Sequence, residues 1–185
     1  SKPGDVLFEL KDWWVEHPLH VGREAVKGVN LNVRRGEIVG IAGLMGAGRT
    51  EFAMSVFGRA WGQRISGEVR LHGKPIDVST VGKAVAHGLA YVTEDRKGNG
   101  LVLAEDIQFN TSLARLEAVS RAGVIDDGRE YSVAQGYREK LRIRCSGVGQ
   151  KTVNLSGGNQ QKVVLSKWLF TEPEVLILDE PTRGI

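Results

Sequence analysis

One stretch constrains this chain more than any other, because it predicts a capped helix followed by a short apolar strand. Residues 155–161 read Leu-Ser-Gly-Gly-Asn-Gln-Gln, residues up to 170 have helical character, and residues 175–178 read Val-Leu-Ile-Leu. Ser156 is a good helix cap, and the two glycines after it allow an anion to approach the backbone amides of the first turn. The apolar run is typical of a strand buried on both faces of a parallel sheet.

Two carboxylates follow this predicted strand directly. Asp179 and Glu180 would lie at its carboxyl end, which is where open α/β sheets bind ligands. Such a pair suits one acid that holds a metal and one base that positions a water. An apolar run that ends in Asp-Glu-Pro also occurs in ordinary core strands before a turn. The more specific signal is that residues 155–161 and this strand follow one another in this order.

A second candidate site lies earlier in the chain, between a predicted strand at residues 38–42 and a predicted helix at residues 50–57. Residues 43–50 connect them as a glycine-rich loop, Gly-Leu-Met-Gly-Ala-Gly-Arg-Thr. The spacing of Gly43 and Gly48 is weak evidence alone, but a strand, a glycine-rich loop and a helix in this order predict a phosphate-binding loop. Its amides would hold the β-phosphate and the Thr50 hydroxyl could bind Mg²⁺.

Composition excludes several classes of protein. At 185 residues the chain has the size of one domain, and 41% hydrophobic with 25% charged residues is ordinary for a globular fold. Lys and Arg are interleaved with Asp and Glu along the chain, and no basic cluster occurs beyond Arg34 and Arg35, so the net charge of +3 does not indicate nucleic-acid binding. One cysteine excludes an internal disulfide. No apolar run reaches the roughly 18 to 20 residues that span a bilayer.

The remaining pattern predicts further strands and helices. Strands are expected at residues 6–10, 26–33, 66–71 and 89–93, with a short strand after the turn at 72–73. Helices are expected at residues 81–87, 106–118 and 130–143, with an irregular connection at 120–123.

Residues 155–161 resemble the signature sequence of the ABC-type ATPases, and residues 176–181 resemble their Walker B strand. The resemblance implies an α/β P-loop NTPase cassette with a mostly parallel core sheet, an antiparallel β subdomain and an inserted helical subdomain, truncated after Walker B. Residues 1–185 would form one nucleotide-binding domain, in which residues 1–100 and 150–185 make the β subdomain and ATPase core and residues 101–149 the helical subdomain. ATP and Mg²⁺ are the implied cofactors.

The resemblance also implies a role for each motif residue. The phosphate loop would bind the nucleotide through Gly43, Gly46, Ala47, Gly48, Arg49, Thr50 and Glu51. The metal would be held by Thr50, Asp179 and Glu94, and catalysis would involve Glu180, Glu94, Ser156, Gly157 and Gly158. Arg49 stands where the family has Lys, and Glu94 where it has Gln, so we expect nucleotide binding with weakened hydrolysis at this site. Adenine would stack on an aromatic residue of the early loop, with Trp14 or His17 favoured over Trp13 and His20.

Three segments narrow the resemblance to one branch: residues 40–51, residues 91–97, and residues 155–162 with 179–185. Together they look like the C-terminal half of the fused, two-cassette ATPases of bacterial monosaccharide importers for xylose, ribose, galactose and multiple sugars. The chain is then expected to be a fragment that lacks the segment with the switch histidine. The implied partners are the N-terminal cassette of the same polypeptide, membrane permease subunits and, indirectly, a periplasmic sugar-binding protein, with no nucleic acid. The implied location is the cytoplasmic face of the inner membrane.

Two other functions remain open from the sequence. One is a regulatory module that holds ATP without hydrolysing it, which Arg49 and Glu94 favour and the pair Asp179 and Glu180 opposes. The other is a soluble ABC ATPase that acts on nucleic acid or ribosomes, for which we would expect long charged insertions or coiled coils. The resemblance further implies that Ser156, Gly157 and Gly158 would serve the ATP of a facing cassette, because the cassettes of this family meet head to tail.

Overall fold

The computed structural model describes residues 4–41, 48–92 and 100–179. The chain divides into two compact units, residues 1–89 and 90–185. Within these described ranges, no helix is long and apolar enough to cross a membrane.

An antiparallel sheet dominates the first unit. Its strands are β1 (Val6–Glu16), β2 (Glu24–Arg34), β3 (Gln63–Leu71) and β4 (Lys74–Ile76), in the order β2-β1-β3-β4. In the register of this sheet, Leu10 lies opposite Leu31 on one side and Val69 on the other. The strands predicted at residues 6–10, 26–33 and 66–71 are therefore confirmed, and each is longer than its apolar pattern indicated.

A bulge in β1 changes which side chains face the core. Leu10 is buried in the first half of the strand, whereas Trp13 and Val15 are buried in the second half, so the alternation shifts by one position. The shift occurs at Asp12, whose φ of 48° is left-handed, and the extra residue of a bulge reverses the alternation in this way. Opposite the bulge, a Cβ at Gly67 would collide with the carbonyl oxygen of Asp12, so only glycine fits there.

Two helices complete the first unit. Helix α1 (Arg49–Val56) is fixed to the sheet because the indole Nε1 of the fully buried Trp13 donates to Ser55 Oγ over 3.1 Å. Helix α2 (Val81–Ala86) begins at Thr80, whose side chain accepts from Lys83 N. Both helices lie where the sequence predicts them.

The prediction of a strand at residues 38–42 is wrong for residues 38–41, the part that the structure describes. Residues 37–41 form no strand, and Ile38 is 97% exposed while Ile41 is 49% exposed. A short apolar run becomes a buried strand only when neighbouring strands pair with it and cover its side chains. Among the described residues, no strand pairs with residues 37–41.

The described residues of the second unit include three capped α-helices: α3 (Ile107–Ser112), α4 (Asp127–Leu141) and α5 (Gly157–Phe170). Each begins after a residue with extended backbone whose side-chain oxygen accepts from an amide three positions later: Asp106, Asp126 and Ser156. Apolar side chains of these helices are fully buried, among them Ile107, Ala134, Val163 and Val164.

A buried carboxylate joins α3 to α4. Glu130 is 8% exposed and accepts from Ser112 Oγ over 2.6 Å and from Gln108 Nε2 over 2.8 Å. Hydrogen bonds of this kind offset the cost of removing a charge from water.

The helix predicted over residues 106–118 ends earlier than expected. After α3 the chain continues as a 3₁₀ helix, Leu113–Val119, and Arg115 has the non-helical angles φ −149° and ψ 55°. The Arg115 guanidinium donates to Phe170 O over 3.1 Å, so a tertiary contact accompanies the break. The connection predicted as irregular is a hairpin of β6 (Ser120–Arg121) and β7 (Val124–Ile125), turned by Ala122 and Gly123, both with positive φ.

A two-stranded sheet is formed by β5 (Leu89–Val92) and β8 (Val175–Leu178). Both strands were predicted. β5 is buried throughout, but β8 is only half-buried and Leu178 is 49% exposed, so the expectation that β8 is buried on both faces is wrong.

Candidate functional site

The start of α1 is the described part of the predicted phosphate-binding loop. Gly48 precedes the helix in a left-handed conformation, with φ 73° and ψ 14°, and as a glycine it supplies no side-chain cap. A non-glycine residue is strained at this φ, and a glycine leaves the backbone open to a ligand. Arg49, Thr50 and Glu51 form the first turn, where the positive end of the helix dipole favours an anion.

Several predicted site residues lie outside the described residues. These are Gly43, Gly46, Ala47, Glu94 and Glu180. Their assignment therefore stays a prediction from the sequence.

The start of α5 is the best-defined candidate site in the described chain. Ser156 is exposed and has extended backbone, with φ −63° and ψ 160°, as an N-cap requires. Its Oγ accepts from Asn159 N over 3.4 Å and from Asn159 Nδ2 over 2.8 Å. Gly157 and Gly158 form the first turn and are half-buried. The predicted cap and helix are confirmed, and the predicted roles of the three residues in catalysis remain predictions.

Asn159 connects this helix start to the segment after α4, residues 142–146. Arg144 N donates to Asn159 Oδ1 over 2.9 Å, and Lys162 Nζ, one turn further along α5, donates to Arg142 O over 3.2 Å. The sequence analysis assigned no role to Asn159. Its position three residues after a serine cap was a usable signal, because residue N3 is where a polar side chain reaches back to the cap.

Asp179 follows β8 directly, as predicted. It is 8% exposed, its backbone amide donates to Val92 O over 2.9 Å, and its carboxylate accepts from Tyr91 Oη over 2.9 Å. The backbone and the tyrosine thus fix the carboxylate at the end of the two-stranded sheet. Thr50 belongs to the first unit and Asp179 to the second, so their predicted sharing of one Mg²⁺ stays a prediction.

The donors available to Mg²⁺ fit its chemistry. Mg²⁺ prefers oxygen ligands and is usually held by one or two carboxylates together with phosphate oxygens and water. Thr50 offers a hydroxyl and Asp179 a carboxylate. The described residues contain no group of three or more His, Cys, Asp or Glu side chains that could hold a metal on their own. A site of the kind predicted needs no such group.

The two aromatic candidates for adenine have different surroundings. Trp14 lines a cleft of about 430 Å³ together with Asp12, Glu16, Glu24 and Arg64 among its charged residues, and its Nε1 donates to Asp12 Oδ1 over 2.7 Å. His17 lies in a ring cluster outside that set, 4.6 Å from His20 and 5.4 Å from Trp61 between ring centroids. The choice between Trp14 and His17 therefore stays open.

The pKa of His17 is lowered from its ordinary value of 6.5. Burial is the first cause, and the positive charges of His20 and Arg23 add to it. The His17 Nδ1 accepts from Leu19 N over 3.1 Å. A ring nitrogen that accepts carries no proton, so this contact requires the neutral ring with its proton on Nε2. The ring cluster thus favours an uncharged His17.

Lys167 is a half-buried cation on α5 that the sequence analysis did not single out. Its Nζ donates to Gly100 O over 3.1 Å and lies 4.9 Å from the ring centroid of Trp168. Burial lowers the pKa of Lys167. These contacts fix the later turns of α5, so we assign Lys167 a structural role.

The sequence profile of the ABC transporter family matches residues 26–183. The L-arabinose transport ATP-binding protein AraG of Geobacillus stearothermophilus is 59% identical over 184 residues, which is 100% of this chain and 36% of that protein. The xylose import ATP-binding protein XylG of Thermoanaerobacter pseudethanolicus is 48% identical over 99% of this chain and 36% of its own length. The chain therefore spans about a third of the length of these relatives.

Solved structures show the same fold. The structure of cbiO1 from Clostridium perfringens, described as part of the ABC transporter complex cbiONQ, has a TM-score of 0.71 at 25% identity and covers 98% of this chain and 68% of its own. The ATP-binding cassette MJ0796 bound to ADP and Pi has a TM-score of 0.78 at 22% identity, with 97% of this chain and 76% of its own covered. The predicted α/β P-loop cassette fold is confirmed.

Proposed function

Because this chain belongs to the ABC transporter family, we propose that it is the ATP-binding part of an energy-coupling subunit of a bacterial monosaccharide importer. The observation that carries the proposal is the start of α5, where an exposed Ser156 hydroxyl stands beside Gly157 and Gly158. The names of the arabinose and xylose relatives support a sugar as the transported substrate.

The proposed protein carries a second cassette ahead of these residues in the same polypeptide. The relatives are nearly three times as long as this chain, which leaves room for it. In this arrangement the two cassettes work with membrane permease subunits at the cytoplasmic face of the inner membrane. A periplasmic sugar-binding protein delivers the sugar to those subunits.

The chain's own ATP would bind at the start of α1. Gly48 would allow the phosphates to approach the backbone amides at the start of α1. Thr50 and Asp179 would supply a hydroxyl and a carboxylate to Mg²⁺. When bound, Mg²⁺-ATP supplies the phosphoryl group and a divalent charge that stabilises its transfer. Glu180 would position the attacking water as a general base, and Glu94 would contribute a second carboxylate near the metal.

The start of α5 would act on a different ATP, the one held by the facing cassette. The Ser156 hydroxyl and the amides at Gly157 and Gly158 are donors at a helix N-terminus, where a phosphate is favoured. Donors held in place before the reaction stabilise charge that shifts during transfer without reorganising. The proposed role of this helix start is therefore to complete the partner's catalytic site.

A second candidate function is a cassette that holds ATP without hydrolysing it. Arg49, the first residue of α1, favours it, because a guanidinium is bulkier than an ammonium and is poorly suited to a position between two phosphates. Both functions require ATP to bind, and they differ in turnover.

Calorimetry of Mg²⁺-ATP with this chain tests the binding step. We expect weak, saturable binding, and the nearly isosteric variant Thr50→Val should bind ATP with a reduced dependence on Mg²⁺ because the metal loses a hydroxyl ligand. The isolated chain should show negligible hydrolysis, since one cassette has no facing donors. Absence of binding at millimolar nucleotide would contradict the proposal.

Hydrolysis by the full-length protein in the assembled transporter separates the two candidates. If this site turns over, Glu180→Gln should retain ATP and lose the contribution of this site to hydrolysis. If it only holds ATP, Glu180→Gln should leave the rate unchanged. Steady turnover by the purified isolated chain that Glu180→Gln abolishes would refute the expected need for a facing cassette.

A further inference from the structure

We infer that Asn159 is a positioning residue that forces the Ser156 hydroxyl to act as a hydrogen-bond donor toward a phosphate at the start of α5. The inference rests on the proposed function, in which Ser156 contacts the ATP of the facing cassette. It adds a residue and a mechanism that explain why this serine is oriented to donate.

The first step is the orientation of the Asn159 amide. Arg144 N lies 2.9 Å from the Asn159 side chain, and a backbone N–H can only donate. The atom that faces it must therefore be Oδ1, which settles which way the amide group is turned. Nδ2 then faces Ser156, at 2.8 Å from Oγ.

The second step concerns the two lone pairs of Ser156 Oγ. A serine hydroxyl has one proton to donate and two lone pairs that accept. Asn159 Nδ2 and Asn159 N both donate to this oxygen, over 2.8 Å and 3.4 Å. Both acceptor positions are thus occupied by one residue, and the proton is the group that Ser156 retains for a ligand.

The third step is the match to the ligand. Ser156 is exposed, so its proton is accessible from outside the helix start. At neutral pH the terminal oxygens of ATP phosphates act mainly as acceptors, and a hydroxyl held as a donor is complementary to them. Because the orientation exists before the ligand arrives, the donor costs no reorganisation when the phosphate binds.

The far end of this chain of hydrogen bonds is itself fixed. Lys162 Nζ donates to Arg142 O over 3.2 Å, and Ile143 is 5% exposed. The segment that carries Arg144 is therefore anchored immediately before its contact with Asn159. Polarity runs in one direction, from the Arg144 amide through Asn159 to the Ser156 hydroxyl.

The substitution Asn159→Asp reverses the last hydrogen bond while keeping the first. An aspartate still accepts from Arg144 N, so the anchor persists, but its other oxygen can only accept. The Ser156 hydroxyl would then donate to residue 159 and would be lost to the phosphate. Aspartate also introduces a negative charge, and Ser156→Ala provides the background that separates the charge from the polarity.

The experiment is a double-mutant cycle in the full-length protein, assembled with its membrane subunits in vesicles. ATP hydrolysis is measured for the wild type, Ser156→Ala, Asn159→Asp and the double variant. We expect each single change to lower kcat about a hundredfold with a much smaller change in KM, because one preorganised donor is lost in either case. The double variant should be no slower than Ser156→Ala alone.

The outcomes separate the inference from the proposed function. If the two effects multiply, Asn159 acts through its charge or through folding, and the inference is overturned while Ser156 keeps its role. Loss of rate in Ser156→Ala with full rate in Asn159→Asp overturns the inference in the same way. Full rate in Ser156→Ala overturns both.

A measurement on folding completes the test. Hydrogen exchange at the Arg144 amide should stay slow in Asn159→Asp, where an acceptor remains, and become faster in Asn159→Ala. Fast exchange in Asn159→Asp would show that the segment of residues 142–146 had detached from residue 159. That result would overturn the proposed chain of hydrogen bonds from Arg144 through residue 159 to Ser156.

Discussion

The two helix starts that the sequence marks as phosphate sites are built in opposite ways. Helix α1 begins after Gly48, in left-handed backbone, with no side-chain cap. Helix α5 begins after Ser156, in extended backbone, with a cap that Asn159 holds from two atoms. One start offers open backbone, and the other offers an oriented hydroxyl.

This difference teaches which chemistry each start suits. A glycine before a helix lets a phosphate come close to the amides, which suits a site that binds the whole nucleotide. A serine held by a second side chain presents one donor in one direction, which suits a contact that completes a site from outside. The difference agrees with the proposed function, in which α1 binds the chain's own ATP and α5 contacts the ATP of a facing cassette.

The largest expected effect is a loss of ATP hydrolysis when the start of α5 is changed. In the full-length protein, Ser156→Arg should lower transport-coupled hydrolysis at least about a hundredfold, because it removes a donor and places a bulky cation against the partner's phosphates. Arg49→Ala at the start of α1 should cost much less, mainly through nucleotide retention. Hydrolysis by the two assembled variants decides it, and a larger loss with Arg49→Ala would reverse the assignment.

The next effect is on stability, and it tests the left-handed backbone at the start of α1. Among the described residues, a Cβ at Gly48 would meet Glu51 Oε2 alone, at 4.0 Å, so the left-handed φ of 73° is the main cost of a substitution there. Gly48→Ala should lower the free energy of unfolding by roughly 1 to 2 kcal/mol. Gly136→Ala is the matched control, because Gly136 lies in α4 with open space around its Cβ position.

That control should raise the free energy of unfolding by about 0.5 to 1 kcal/mol, since alanine is the better helix former. Denaturant unfolding of both variants provides the measurement. Equal effects at the two positions would contradict the distinction between left-handed and helical glycine.

A smaller effect separates capping from donation at α5. Ser156→Ala should lower the free energy of unfolding by about 1 kcal/mol, because the first turn loses its cap. Ser156→Asp should keep most of that stability, since a carboxylate also caps, yet it should lose hydrolysis because it cannot donate to a phosphate. An active Ser156→Asp protein would show that the cap alone matters.

The smallest expected effect is a pH dependence of stability that arises from His17 in the first unit. All four histidines lie within residues 1–89, and the pKa of His17 is lowered from 6.5 in the folded chain. Below 6.5 the unfolded chain binds this proton more readily than the folded chain does. The contribution of neutral His17 to stability is therefore complete above 6.5 and is lost as the pH falls through its folded pKa.

Unfolding measured between neutral and mildly acidic pH should show this slope, and His17→Gln should reduce it. Amide signals of α5 should stay unchanged over the same range, because residues 157–170 contain no histidine. An unchanged slope in His17→Gln would contradict the assignment.

Local signals in the sequence predicted the elements whose cause is local. Ser156 before two glycines predicted the α5 cap, and the strands and helices with regular apolar spacing appear near their expected positions. The hairpin around Ala122 and Gly123 was missed because its strands have two residues each, too short for an alternating pattern.

Features that depend on distant contacts could not be predicted in this way. The apolar run at residues 38–42 indicated a buried strand, yet Ile38 is 97% exposed, because burial requires neighbours that no local pattern specifies. The position of Asn159 after the serine cap was a local signal, but the orientation of its amide depends on Arg144, fifteen positions earlier, and no local pattern specifies that contact. The half-exposed β8 shows again that an apolar sequence does not by itself determine whether a strand is buried by its neighbours.

Nucleotide titration of the isotope-labelled chain, followed by amide signals, tests the contrast between the two helix starts most directly. On addition of Mg²⁺-ATP to the chain alone, we predict saturable shifts at residues 48–51 and none at residues 156–159, because no facing cassette presents its ATP to α5. Adding the other cassette with ATP should then shift the signals of residues 156–159. Saturable shifts at residues 156–159 in the monomeric chain, with none at residues 48–51, would contradict the account.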